Sequence, residues 1–310
     1  VACDWAPNPA ISDAHKLAAV AFDPDTPNLF DVPLSWLTGD WQHESWSADT
    51  PVEELWLGDW QVRRTPDLAF AAVELPESRL ASPAALEAAA LTAYRELFAL
   101  QTKLGFAHLQ RVWHWLFDVI GGEGETQRYR SLCRGRAQAV DEVNIVLPPA
   151  TGVDSARPGL RIQAILGCQP ITPIENPRQV SAYRYPREHG RRAPAFARAA
   201  ETQLGRSRYL LISGTASIIG HRTYHAGDVR RQTREAVANI AAVIGAASRS
   251  TAARGLDGLA GARGYVPRAA DAEIVAAELR ALMPKVPITL LQAELCRPDL
   301  SVEIEAQMRL

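Results

Sequence analysis

The densest set of reactive side chains lies at the C-terminus: Glu294, Cys296, Arg297, Asp299, Glu303 and Glu305. In an extended strand Glu303 and Glu305 point to one side together with Ser301, while Val302, Ile304 and Ala306 point to the other. One reading is a solvated acidic sheet face. The other puts one of these carboxylates in a cleft as a general acid or base. Partial burial there raises its pKa and lets it protonate a weakly basic atom at neutral pH. Cys296 directly precedes Arg297. A lone cysteine is usually a small buried hydrophobe, and spacing names no histidine partner for it. His221 and His225 stand four apart but follow a glycine-containing turn and lack a third ligand, so the spacing predicts structural histidines and no zinc site.

A second cluster is basic. Between Tyr183 and Arg198 the chain places two tyrosines and five arginines in 16 residues. Forked guanidinium hydrogen bonds suit a carboxylate or phosphate ligand. Gly214, Thr215, Ala216 and Ser217 follow an apolar run, and their backbone donors are candidates to cradle an anion. They carry no lysine and no Walker spacing, which excludes a nucleotide loop. G-x-G-x-x-G, G-x-S-x-G and H-E-x-x-H are all absent.

The elements that must position these groups follow from periodicity and caps. Leu68 to Leu75 and His108 to Phe117 read as strands. Ser82 and Pro83 open a helix over Ala84 to Lys103, which Gly105 ends. Gly121, Gly122 and Gly124 make a turn before a second helix, Thr126 to Val140, with Arg130, Arg134 and Arg136 on or beside it. Leu160 to Leu166, Gln179 to Arg184 and Leu210 to Ser213 read as further strands. Asp228 to Ala247 is a long helix with Val229, Ala236, Ile240 and Val243 on its apolar face. Ser248 to Arg263 reads as a loop or frayed helix end. Asp271 caps a helix over Ala272 to Met283, and Ile288 to Leu295 and Leu300 to Ala306 close the chain as strands. Both halves run strand, long helix, strand or loop, shorter helix, strand, which predicts a layered α+β fold of two related domains. The expected boundaries are an irregular leader over 1–65, a diverged N-terminal domain over 66–150 and a catalytic domain over 151–310. The leader holds six of the eight tryptophans: Trp5, Trp36, Trp41, Trp46, Trp56 and Trp60. Their rings are expected to pin it to the core. Gly39-Asp40-Trp41-Gln42 recurs as Gly58-Asp59-Trp60-Gln61, predicting turns in similar strand contexts.

Length and composition bound the rest. The 310 residues are 47% hydrophobic with a formal charge of -2, which excludes collagen, bulk disorder and a coiled-coil rod. The balance of charge gives no reason to expect a nucleic-acid partner. Cys3, Cys133, Cys168 and Cys296 form no C-x-x-C pair, so reduced thiols in a cytoplasmic protein are expected. No stretch reaches 18 apolar residues, so no membrane span is expected. The chain begins with Val1 rather than Met, which leaves room for a removed leader.

Three segments carry a family resemblance. LLISGTASIIGHRTYHAGDVRRQTREAVANIAAVI (Leu210 to Ile244), QVSAYRYPREHGRRAPAFARA (Gln179 to Ala199) and CRPDLSVEIE (Cys296 to Glu305) resemble the chorismatase family. The strand-turn-helix ending near Asn239 also looks like the broader RidA/YjgF superfamily. The resemblance implies a RidA/YjgF-like, chorismate-mutase-like α+β fold and an enzyme that acts on chorismate and releases pyruvate without metal or organic cofactor. It implies Glu303 as the acid/base residue and Cys296 as a position that varies with product, cysteine going with 3-hydroxybenzoate. Ala216 falls on a second variable position, and its pairing with Cys296 resembles members that give both 3- and 4-hydroxybenzoate.

Chorismate is a dianion, so its two carboxylates call for Arg136, Arg198 and Arg297, with Tyr129 and Tyr185 as neutral donors beside the Gly214-Thr215-Ala216 backbone. On that resemblance, protonation of the enolpyruvyl methylene carbon by Glu303 is the expected first step. The alternatives are hydrolysis to a dihydroxy-cyclohexadiene carboxylate, a RidA-like imine deaminase and a metabolite-binding module. A monomer or small homo-oligomer is expected.

Overall fold

A computed structural model describes residues 2–4, 13–23, 25 and 28–310. Trp5 lies outside the described residues. Two sheets build the molecule, each carrying a pair of helices on one face. The first orders Glu53–Leu57, Trp60–Arg64, Leu68–Leu75, Leu160–Gly167, His108–Leu116 and Ala150–Val153. The second orders Thr172–Ile174, Ala199–Leu204, Ser207–Ala216, Glu303–Arg309, Gly261–Val266, Ile288–Gln292 and Trp36–Gly39.

One unit recurs in both. An antiparallel hairpin leads into a long helix, then a strand, a shorter helix, a second strand parallel to the first, and a last strand that inserts between hairpin and parallel pair. The long helices are Pro83–Leu104 and Val229–Ala246; the shorter ones are Arg128–Asp141 and Ala272–Leu282. The α+β layering and the two related halves expected from the sequence are both present.

Local chemistry explains the helix ends. The Ser82 hydroxyl accepts from the Ala85 amide at 3.1 Å, and Gly105 closes the helix at φ 78, a conformation glycine adopts without strain. Asp228 caps its helix through the Arg231 amide at 3.0 Å. Asp271 makes no such cap, because its carboxylate accepts from Arg268 instead.

Three other expectations are corrected. Residues 1–65 are not irregular: among the described residues they supply a small sheet of Ala2–Asp4, His43–Ser47 and Lys16–Ala21, and edge strands to both large sheets. Gly261–Val266, whose first three residues fell in the loop expected over Ser248 to Arg263, is a strand buried along its whole length. Its small residues hide the strand signal, and Gly264 is required, since a Cβ there would meet Leu290 Cδ2 at 2.5 Å. Ala182–Arg184 is a 3₁₀ turn ahead of Pro186, and only Gln179 bridges to another segment, at Gly220. The last two strands also shift, to Ile288–Gln292 and Glu303–Arg309, which lengthens the unpaired stretch already expected around Cys296 and Arg297.

Helix-facing residues fill two outer cores, Val302, Ile304 and Ala306 among them. The inner faces of all three sheets share a third core. There Trp46 sits 6.2 Å from Phe70 and 6.4 Å from Tyr209, and Trp115 lies 6.0 Å from Tyr265. Trp41, Trp46 and Trp60 do pin the N-terminal strands, whereas Trp56 is exposed. Gly39 and Gly58 both take positive φ at strand ends, so the repeated tetrapeptide does mark turns.

A buried ion chain ties the layers together. Glu44 of the small sheet pairs with Arg263, Arg263 with Glu305 at 3.2 Å, and Glu305 with Arg111 of the first sheet at 2.6 Å. No helix among the described residues is long and apolar enough to cross a membrane.

Candidate active site

The two halves meet where strand Ala150–Val153 runs beside Ser207–Ala216. The Ala150 amide donates to Ser213 Oγ at 2.9 Å, and the Gly214 amide donates to Thr151 Oγ1 at 3.0 Å. Beside this seam opens a cavity. Its walls come from helix Arg128–Asp141, the 181–198 loop, the bulged end of Ser207–Ala216 and the segment before the last strand.

Glu303 projects into it. The residue is 6% exposed, and no group among the described residues hydrogen-bonds its carboxyl. Burial pushes its pKa up to about 8, and the nearby charge of Glu305 adds to the rise against Arg111, Arg198 and Arg297. Glu305, on the same side of the strand, has the opposite fate. Burial opposes its ionisation too, but Arg263, Arg111 and hydrogen bonds from Thr151 and Trp113 hold it below the usual carboxylate range. Thr151 Oγ1 donates to it at 2.5 Å and Trp113 Nε1 at 3.1 Å. Two carboxylates two residues apart are thus split into a held proton and a fixed charge, the arrangement that separates acid from electrostatic roles. The solvated-face reading fails, since both are buried.

Arg136, Arg198 and Arg297 line the cavity, and none has a carboxylate within ion-pair distance among the described residues. Arg136 is buried over the Tyr94 ring, with its Nε unpaired. Arg198 donates to Tyr185 Oη at 2.7 Å and to the Val180 carbonyl at 3.1 Å, and its Nε is also unpaired. Arg297 donates to the His221 carbonyl at 2.9 Å and lies over the Tyr185 ring. Arg134, next to Cys133 but not itself lining the cavity, is by contrast neutralised by Glu87 and Glu125. Buried guanidiniums left without carboxylates fit an anion supplied from outside.

The remaining walls are neutral. Burial lifts the Tyr129 hydroxyl well above its ordinary pKa and the Cys296 thiol to about 12, so both stay protonated at neutral pH. His114 is neutral as well: burial, then Arg136, press its pKa down to about 3. Its Nδ1 donates to the Thr151 carbonyl at 3.0 Å and its Nε2 accepts from Tyr94 Oη at 2.6 Å.

The chorismatase FkbO/Hyg5-like N-terminal family model matches residues 44–166. A 3-hydroxybenzoate synthase of Streptomyces hygroscopicus is 38% identical over 228 residues, covering 69% of this chain and 67% of that protein. A chorismatase of the same organism is 35% identical over 286 residues, 86% of this chain and 78% of the relative. The chain belongs to the chorismatase family. A solved chorismatase crystal structure superposes with a TM-score of 0.85 at 29% identity, covering 99% of this chain and 98% of the other.

Of the residues singled out in this family member's sequence, Tyr129, Arg136, Tyr185, Arg198, Gly214, Ala216, Cys296, Arg297 and Glu303 come together at the cavity. Thr215 does not. The bulge between Ile212 and Thr215 turns it into the interior, where its hydroxyl donates to the Ser213 carbonyl. The expected anion cradle is absent too: Gly214 lies within a strand, and its amide is taken by Thr151. Ala216 is held in place from behind by Asn239, whose Nδ2 donates to the Ala216 carbonyl at 3.1 Å and the Ile218 carbonyl at 2.9 Å. Sequence reasoning missed His114, Thr151, Cys133, His189 and Phe196, which also line the cavity. A histidine inside an apolar strand, as His114 is, was the one available signal.

Gly214 matters through what it lacks. A Cβ there would stand 1.9 Å from Glu303 Oε1. The carboxyl ends a flexible side chain facing open space, so Gly214→Ala will fold and melt close to the parent while pushing the carboxyl aside. A displacement of about 1 Å at a reacting group lowers kcat by about 10²-fold. Paired thermal melts and steady-state kinetics test both halves of that expectation.

Proposed function

We propose that this cavity converts chorismate to 3-hydroxybenzoate and pyruvate, with Glu303 as the proton donor. The observation that carries the reading is the conjunction, in one cavity, of three guanidiniums without carboxylate partners and one buried carboxyl that holds its proton near neutrality. The names of the curated relatives supply the substrate and product.

The ring and enolpyruvyl carboxylates of the dianion sit against Arg136, Arg198 and Arg297, with Tyr129 and Tyr185 as neutral donors. Glu303 gives its proton to the methylene carbon of the enol ether, which becomes the methyl group of pyruvate. The adjacent carbon becomes oxocarbenium-like, and the new carboxylate on Glu303 balances that charge. The neighbouring 4-hydroxyl oxygen attacks ring carbon 3 as the ether bond to the ring breaks, so the ether oxygen leaves in pyruvate and the hydroxyl proton returns to Glu303. The resulting ring epoxide opens at carbon 4, and loss of the proton on carbon 3 gives 3-hydroxybenzoate. 3-Hydroxybenzoate and pyruvate together hold the atoms of chorismate with no water added, whereas the diene route adds one. Cys296 stays a thiol, which supports a role in shaping and steering the ring rather than as a thiolate base.

Purified protein incubated with chorismate, with products separated by chromatography and mass spectrometry against an enzyme-free control, is expected to give pyruvate and 3-hydroxybenzoate in equal amounts. A share of 4-hydroxybenzoate would widen the product assignment. A diene as sole product would overturn the aromatic outcome, and no turnover by folded protein would overturn the substrate.

A further inference from the structure

The 181–198 loop covers the cavity and meets a small hairpin, Ile218–Ile219 with Arg222–Thr223. The base of the loop is fastened by backbone. The Val180 amide donates to the Gly220 carbonyl and the Gly220 amide to the Arg178 carbonyl, both at 2.8 Å. Its tip touches the hairpin differently. His189 Nε2 lies 3.0 Å from His221 Nδ1, His221 Nδ1 lies 3.1 Å from Glu188 Oε1, and His189 Nε2 lies 3.4 Å from that same oxygen.

These three distances form a nearly equilateral triangle of two imidazole nitrogens and one carboxylate oxygen. Ligands each about 2.1 Å from one ion stand about 3.0 Å apart on an octahedral face and about 3.4 Å apart on a tetrahedral one. The triangle falls between those limits without any movement of the side chains. We propose that Glu188, His189 and His221 form a binding site for a divalent transition-metal ion of the zinc class, which clamps the loop tip onto the hairpin at the cavity mouth.

The donor set selects the ion class. Two imidazoles and one carboxylate suit zinc, cobalt or nickel and not magnesium or calcium, which prefer all-oxygen shells. Glu188 is largely exposed and the two histidines are part-exposed, so an ion reaches the site from solvent. A fourth position stays open to water, as in sites with three protein ligands. The guanidiniums of Arg130 and Arg297 lie near enough to oppose a dication, which sets the affinity below that of a structural zinc site.

The consequence runs through Tyr185. Its ring lies 5.2 Å from His189 and beneath the guanidiniums of Arg198 and Arg297. Fixing His189 fixes this wall of the cavity, so a bound ion slows passage of substrate and product. The site is an inhibitory clamp beside the chemistry and takes no part in it. The sequence hid it because the third ligand of His221 lies 32 residues upstream and not at His225.

The test uses the full chain after dialysis against chelator. Zinc and, separately, cobalt are titrated in by calorimetry and by cobalt absorbance, with magnesium as the control ion. The parent is expected to bind one zinc per chain and to show the cobalt spectrum of a nitrogen–oxygen site, and magnesium to give no heat. His221→Ala and Glu188→Gln, both near the surface, are expected to keep their thermal melts and lose the binding. Zinc is further expected to lower chorismate turnover in the parent and not in His221→Ala. Binding is read without substrate, so it stands or falls apart from the proposed reaction. No zinc binding by the parent, or equal binding by the parent and His221→Ala, would overturn the site. A thiolate-type cobalt spectrum would also overturn it, placing the ion at the cavity cysteines instead.

Discussion

Glu303→Gln is expected to lower kcat for chorismate by about 10²–10⁴-fold, the usual contribution of a positioned proton donor. The substitution keeps size and polarity and removes the proton. Its second consequence has the opposite sign. Glu303 carries a folded-state pKa raised from 4.5 to about 8. A carboxyl of that kind imposes no penalty below pH 4.5, where folded and unfolded forms are both protonated. Between pH 4.5 and about 8 the unfolded chain ionises and the folded one does not, so stability falls as pH rises through that window. Glutamine has no such term. At pH 8 and above, Glu303→Gln is therefore expected to melt higher than the parent while being nearly inactive. Loss of activity with gain of stability marks a residue kept for chemistry, and a parallel loss of both would reject this role. The same pKa predicts that kcat/KM of the parent falls above about pH 8 as the acid form disappears.

The two glutamates also show how far the sequence could be read. Alternation along CRPDLSVEIE put Glu303 and Glu305 on one face and Val302, Ile304 and Ala306 on the other, because a strand's period of two is local information. Which glutamate keeps a proton is not local. It depends on Arg111, Thr151 and Trp113, more than 150 residues away in sequence, and on Arg263 across the sheet. Pattern alone could not rank the pair, and only the resemblance favoured Glu303.

The cap at Ser82 was legible for the same local reason, whereas the cap expected at Asp271 fails because its carboxylate accepts from Arg268. The strand Gly261–Val266 was not legible, because Gly261, Ala262 and Gly264 interrupt its apolar signal, and the approach of Leu290 that keeps Gly264 small is tertiary. The N-terminal strands were hidden by short length and mixed polarity. His43–Ser47 places Glu44, Ser45 and Trp46 in the interior together, a pattern neither a helix nor an alternating strand would show. Of the cavity guanidiniums only Arg198 stood out as part of the basic loop, and the difference between Arg136 and its neighbour Arg134 is a matter of which one met a glutamate.

Glu305→Ala is expected to destabilise the protein by about 3–5 kcal/mol, the range for removing one member of a buried ion network. Arg111 then loses its only carboxylate among the described residues, and Arg263 keeps Glu44. Denaturant melts at pH 7 measure this directly, and a change under about 1 kcal/mol would mean that water replaces the carboxylate. Glu305→Gln is the more informative partner, because it retains the shape and removes the charge. Next to burial, that charge is the main influence raising the pKa of Glu303, while Arg111 pulls it down. Without Glu305's charge the balance tips toward ionised Glu303. The alkaline limb of kcat/KM should therefore move to lower pH than in the parent, with activity at acid pH least affected. An unmoved limb would show that the two carboxyls do not sense each other. A limb moved upward would mean that the group titrating in the profile is not Glu303. The downward shift ties the fixed charge at the centre of the molecule to the proton at its cavity. A residue that touches no substrate then sets the pH range in which the acid works.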